Sequence, residues 1–239
     1  MLNPFSRLEL MLGPEAVERL RRARVAVFGV GGVGGYAVEA LARSGVGALD
    51  LVDNDTVSLT NLNRQIIALH STLGMYKTDA AKARILDINP DCAVTVHRVF
   101  LLPETADRFD FAQYDYVVDA IDTVAGKIEL AVRCRDAGVP LISCMGAGNK
   151  LDPTRLVVTD ISQTSVCPLA RVMRRELRKR GIEHLTVVYS TEPAQEQKGT
   201  PEAEEAGIRR SVPASNAFVP AAAGLIAAGQ VIRDLAAVG

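Results

Sequence analysis

The run from Arg24 to Arg43 constrains this chain most. Residues 24–30 are apolar and β-branched, so they read as a buried strand. Gly29-Val30-Gly31-Gly32-Val33-Gly34-Gly35 follows, and a helix pattern then runs over 33–43 through Tyr36, Ala37, Ala40 and Leu41. A glycine turn between strand and helix lets the backbone approach a phosphate, and the unpaired N–H groups of the helix start face the anion. Asp53 closes the next apolar run, 48–52, at the position where a carboxylate accepts from a ribose hydroxyl. Strand, turn, helix and spaced acid together predict a nucleotide site with Gly29, Gly31, Gly32, Gly34 and Asp53 in it. A tight turn without a ligand does not explain so many glycines, each of which costs about 0.5–1 kcal/mol of chain entropy.

Strand and helix patterns keep alternating after that. Strands are predicted over 93–99, 115–121 and 141–145, and helices over 78–88, 103–109 (weakly) and 124–136. Asn89-Pro90 stops one helix and Gly138 another. This alternation predicts an α/β fold, a Rossmann-like, mostly parallel sheet with helices on both faces. In the second half, 155–160 and 185–190 read as alternating or edge strands that extend the sheet antiparallel. A basic helix lies between them over 168–180. Residues 192–210 are rich in Glu, Gln, Pro and Gly, carry Ile208 as their one large apolar side chain and are expected to form a mobile loop. The expected organisation is one domain over 1–239, with a nucleotide-binding half over 1–150 and a substrate-facing half over 151–239.

Composition excludes several classes. At 239 residues and 48% hydrophobic, the chain can bury a sizeable core. A net charge of −1 excludes a generally cationic nucleic-acid coat but not a local basic patch. Cys92, Cys134, Cys144 and Cys167 form no Cys-x-x-Cys pair, so no structural zinc is expected. With no signal-peptide pattern, they read as reduced thiols of a cytoplasmic protein. The apolar stretch 217–231 is broken by Pro220, two glycines and Gln230. It reads as a core helix and not a membrane span.

Three further segments, Asp53-Asn54-Asp55 through Asn61 to Arg64-Gln65, Gly74-Met75-Tyr76-Lys77, and Asp119-Ala120-Ile121-Asp122, join the glycine turn in a specific resemblance. The chain resembles the adenylating fold of the ubiquitin-activating enzymes, whose bacterial relatives serve molybdopterin and thiamine synthesis. The start Asn3-Pro4-Phe5-Ser6-Arg7, the segment 145–154 and the ending 211–216 resemble one branch, the tRNA threonylcarbamoyladenosine dehydratases. The resemblance implies ATP with Mg²⁺, Arg64 and Lys77 on the phosphates, Asn61 nearby, Asp53 on the ribose and Asp122 on the metal. It also implies a homodimer in which Arg7 reaches the ATP of the other subunit, and a reaction that cyclises the threonylcarbamoyl group through an acyl-adenylate.

The residues bear on this reading independently. Activating a carboxylate as a mixed anhydride with AMP requires a site that holds growing negative charge, and Arg64 and Lys77 suit it: Arg binds phosphate bidentately, Lys as a point charge. Asp122 could also cap the helix over 124–136, and both roles are compatible; the alternative for Arg7 is an ordinary surface arginine. The basic run contains Arg171, Arg174, Arg175, Arg178 and Lys179, with Met173, Leu177 and Val172 at helical spacing. It reads as a tRNA phosphate contact or as a solvated helix face. Cys167 opens that helix, where thiol pKa values fall, but its apolar neighbours suit a packed thiol too. No role is read for the three histidines. The competing activity is adenylation of the C-terminal glycine of a ubiquitin-like sulfur carrier, with a sulfur-transfer protein as partner. An NAD-dependent oxidoreductase would leave Arg64 and Lys77 without a task, and a nucleotide-sensing scaffold would leave Asp122 without one.

Overall fold

The computed structural model describes residues 2–198 and 213–237. Two short helices open the chain, α1 (Ser6–Leu12) and α2 (Pro14–Arg22), the second started by Pro14 at its first position. The order then runs β1 (Arg24–Phe28), α3 (Gly34–Arg43), β2 (Ala48–Val52), α4 (Lys77–Ile88), β3 (Ala93–His97), α5 (Pro103–Ala106), β4 (Tyr116–Asp119), α6 (Val124–Ala137) and β5 (Leu141–Cys144). After these come β6 (Leu156–Asp160), α7 (Pro168–Arg178), β7 (Thr186–Ser190) and α8 (Val219–Ala236).

The strands form one seven-stranded sheet in the order β3-β2-β1-β4-β5-β7-β6. All neighbours pair parallel except β6, which runs antiparallel to β7. Successive side chains of a strand point to opposite faces, and the core divides accordingly. Val25 and Val27 face one layer with Leu41 of α3 and Ala227 and Val231 of α8. Ala26 and Phe28 face the other with Leu130 of α6 and Met173 and Leu177 of α7. Both faces of β1 are therefore buried, as the continuous apolar run requires.

Two expectations about the second half need correction. β7 is not an edge strand. It lies between β5 and β6, and Val187 to Ser190 are buried; its interior place follows from which strands pair, and its polar neighbours in sequence do not encode that. The start of the expected mobile loop is anchored, by polar groups instead of apolar ones. Glu192 is 4% exposed, and its carboxylate accepts from the backbone N–H groups of Leu151 (3.1 Å) and Asp152 (2.9 Å). Asn149 ties residue 197 to Ala214 through its Oδ1, which accepts from both. Residues 199–210 of that loop lie outside the described residues. Helix α8 is long and apolar enough to cross a membrane by composition, but half of it is buried against α3 and the sheet.

Candidate nucleotide site

The topological switch falls between β1 and β4, where the chain leaves in opposite directions, and the crevice outside the carboxyl ends of such strands is where α/β sheets bind ligands. A cleft of about 410 Å³ opens there. Gly29, Gly31 and Gly32 form one wall after β1, and Ala120 to Asp122 face them after β4. The glycines are required by contact. Gly29 has φ of +87°, and a Cβ on it would sit 2.7 Å from the Ala120 carbonyl oxygen. A Cβ on Gly34 would sit 1.7 Å from the Gly29 carbonyl oxygen. Gly34 therefore packs the helix onto the turn and does not line the cleft, a different task from the ligand contact expected of it.

Asp53 lies at the end of β2 and fastens the turn. Its Oδ2 accepts from Val30 N (2.8 Å) and its Oδ1 from Asp55 N (2.9 Å). A carboxylate has about four lone-pair sites, so two remain for hydroxyl donors. Lys77, the first residue of α4, is 7% exposed and its Nζ lies 2.6 Å from Asp55 Oδ2 and 3.9 Å from Asp53 Oδ1. Arg64 differs. Its Nη1 donates only to the Thr60 carbonyl (2.8 Å) and Asn63 Oδ1 (3.0 Å), and it has no carboxylate partner among the described residues. Desolvation lowers its pKa from the ordinary arginine value. A partly buried guanidinium without an anion is a place for one.

Asn61 is buried and its Oδ1 accepts from Ser58 N (3.1 Å), which leaves its amide in the cleft wall. Asp122 is exposed in the cleft and makes no hydrogen bond or ion pair among the described residues. It does not cap α6. The cap position is Thr123, so the capping alternative is set aside. Mg²⁺ bound with a nucleotide takes one or two carboxylates and the substrate's phosphates. The free carboxylate of Asp122 fits that requirement. No group of three or more possible metal ligands occurs among the described residues.

Sequence reasoning does not find the other members of the wall. Gln65 is 6% exposed, and its Oε1 has no hydrogen-bond partner. It stands beside Arg64 in the same motif, so the motif itself was the signal. Val99, Phe100 and Leu101 supply an apolar side, and Gly148, Pro213 and Ser215 close the end toward the second half. No sequence pattern brings these together, because they come from loops far apart in the chain.

The remaining predicted residues do not line the cleft. Arg7 is exposed on α1 without a partner among the described residues. On α7 the buried stripe is Ala170, Met173 and Leu177, with Val172 only partly covered. Several basic side chains there are already engaged. Arg174 donates to Thr164 O (2.9 Å), and Glu176 pairs with Lys179 (2.9 Å), Arg175 (3.1 Å) and Arg180 (3.4 Å). These cations, Lys179 foremost, hold the Glu176 carboxyl down at about 2. Arg171 and Arg178 are exposed and unpaired among the described residues. All four cysteines are free and buried, and burial pushes the Cys92 thiol up to about 11 and those of Cys134 and Cys144 to about 12. Cys167 joins the core on the α6–α7 side, as a packed thiol does.

A doubly wound sheet with a glycine turn, a carboxylate at the end of β2 and two cations beside a cleft at its switch point has the form of a nucleotide-binding α/β protein. The chain belongs to the ThiF family, whose model matches residues 5–238. It is 50% identical to the tRNA threonylcarbamoyladenosine dehydratase of Bacillus subtilis, over 98% of this chain and 95% of that protein. To the Escherichia coli dehydratase it is 41% identical over 70% of this chain and 63% of that one. Crystal structures of the E. coli enzyme superpose on it at 34% identity over 98% of this chain. The AMP complex gives a TM-score of 0.88 with 94% of its own chain covered, and the ATP complex 0.87 with 93%.

Proposed function

We propose that this chain is an ATP-dependent enzyme that dehydrates threonylcarbamoyladenosine in tRNA, closing a ring through an acyl-adenylate. The observation that carries the reading is the full-length similarity to a dehydratase of that name. The cleft supplies the chemistry. The threonyl carboxylate attacks the α-phosphorus of ATP, and pyrophosphate leaves. The neighbouring ureido group then attacks the activated carbonyl, AMP leaves with the former carboxylate oxygen, and the ring closes with net loss of water. Hydroxide is a poor leaving group and AMP a far better one.

In this reading Arg64 and Lys77 stabilise charge on the phosphates, Asn61 assists, and Asp53 holds the ribose. Lys77 exchanges Asp55 for a phosphate oxygen when nucleotide enters. Asp122 would hold Mg²⁺, which supplies neutralisation of the phosphate charge. Arg7 completes the site of a partner subunit, so the working form is a homodimer. Arg171 and Arg178 lead the tRNA contact, with Arg174, Arg175 and Lys179 behind them. In this reading the enzyme meets its tRNA in the cytoplasm.

The test is ATP–pyrophosphate exchange with labelled pyrophosphate. Exchange should require tRNA carrying threonylcarbamoyladenosine and vanish with unmodified tRNA. Exchange driven instead by a ubiquitin-like carrier with a free C-terminal glycine would favour the competing activity.

A further inference from the structure

A fully buried ion pair lies behind the cleft and is used by none of the chemistry above. Asp119 and Lys127 are both 0% exposed at their side chains. Lys127 Nζ lies 3.1 Å from each oxygen of Asp119 and donates to the Cys144 carbonyl at 2.6 Å. Ser143 Oγ donates to Asp119 Oδ2 at 2.5 Å, and Ile121 N donates to Asp119 Oδ1 at 3.2 Å. The ammonium and the carboxylate are thus both satisfied.

Stability is a weak reason to keep such a pair. Replacing a buried ion pair by apolar side chains of similar volume is often neutral or stabilising. The ammonium also sits in the first turn of α6, where the helix dipole disfavours a cation. What the pair does supply is position. Asp119 closes β4, Ser143 and Cys144 close β5, and Lys127 lies in the first turn of α6. The segment between Asp119 and Lys127 begins with Ala120 to Asp122, the wall of the cleft that meets Gly29. The pair also neutralises a carboxylate that would otherwise stand behind a site for a polyanion.

Resting on the reading of the cleft as an ATP site, we propose that Lys127 is a positioning residue for the nucleotide. Through Asp119 and the end of β5 it fixes the β4–α6 loop against the glycine turn, and it cancels the Asp119 charge.

The test uses the full chain and two variants. Lys127→Met combined with Asp119→Asn removes both charges and keeps the volume, and Ser143→Ala removes the hydroxyl's bonds to Asp119 and Lys127 and keeps the ion pair. ATP affinity with Mg²⁺ is measured by calorimetry, alongside Tm of the free protein and the pyrophosphate-exchange rate. Wild type must bind ATP; if it does not, the ATP reading fails and not this inference alone. The double variant is expected to fold with a Tm near wild type, yet to bind ATP at least tenfold more weakly. Ser143→Ala is expected to weaken ATP about threefold at unchanged Tm. A folded double variant with wild-type ATP affinity would overturn the proposal, because a merely structural pair changes Tm and leaves the affinity of the folded protein alone. Should the double variant fail to fold, Ser143→Ala decides, and wild-type affinity there overturns it as well.

Discussion

Arg64 and Lys77 face the same cleft in different electrostatic states. Lys77 is held by two carboxylates, whereas Arg64 is bonded only to neutral oxygens. Removing Lys77 should therefore disturb nothing in the fold beyond its own ion pairs, and Lys77→Ala is expected to fold. Its adenylation rate should fall by roughly a hundredfold or more, since one contact to transition-state charge contributes about 2.7–4 kcal/mol. Asp122→Ala, which breaks no bond in the free protein, should lose the same step. Wild-type pyrophosphate exchange in either purified variant would remove that residue from the site. Much of this is readable in the sequence, because strand, turn and helix at 24–43 are local and each cation stands in a recognisable segment of its own, Arg64 near the end of 53–65 and Lys77 at the end of 74–77. The Asp119–Lys127 pair is not readable. Its partners meet only when β4, β5 and α6 pack, and the helical pattern over 124–136 carries no sign that a lysine on it is buried. The motif points to Gln65, but its burial is hidden for the same reason, since burial of a polar side chain follows from tertiary packing.

Among the elements, α7 separates charge count from charge availability. Its sequence shows six basic residues from Arg171 to Arg180, but Glu176 and Thr164 hold four of them. If the helix meets tRNA, Arg171→Glu with Arg178→Glu should weaken tRNA binding and lower its salt dependence by about 0.7–0.9 in slope for each phosphate no longer neutralised. Arg174→Ala should act on Tm more than on tRNA. A salt slope unchanged in the double variant would return α7 to a solvated face. The segment at 192–198 teaches a related lesson. It lacks apolar anchors, and from sequence alone that reads as mobility, but a buried carboxylate on two backbone N–H groups anchors as well. Glu192→Ala should lower stability by about 1–3 kcal/mol, the cost of leaving buried donors without a partner, read as a shifted urea midpoint.

Among the described residues the strands form one sheet, parallel except for the edge strand β6, and the ligand crevice is set by strand order. The periodicity of the sequence suffices for the succession of elements, while the interior place of β7 depends on which strands pair. Arg7 stands outside the cleft of its own chain, so the partner-subunit reading has a direct test. Arg7→Ala and Lys77→Ala homodimers should each be inactive. Mixed and exchanged, they should recover about a quarter of wild-type activity, because half the dimers are mixed and each has one intact site. No recovery after proven exchange would confine Arg7 to its own subunit or to no role. The central claim, dehydration of a tRNA nucleoside by way of ATP, is tested most directly by weighing the product. The protein is incubated with ATP, Mg²⁺ and tRNA bearing threonylcarbamoyladenosine, the tRNA is digested, and the nucleosides are analysed by mass spectrometry. The account predicts a nucleoside lighter by one water, formed with equal amounts of AMP and pyrophosphate. An unchanged nucleoside mass under conditions where the protein binds ATP and the tRNA would contradict it.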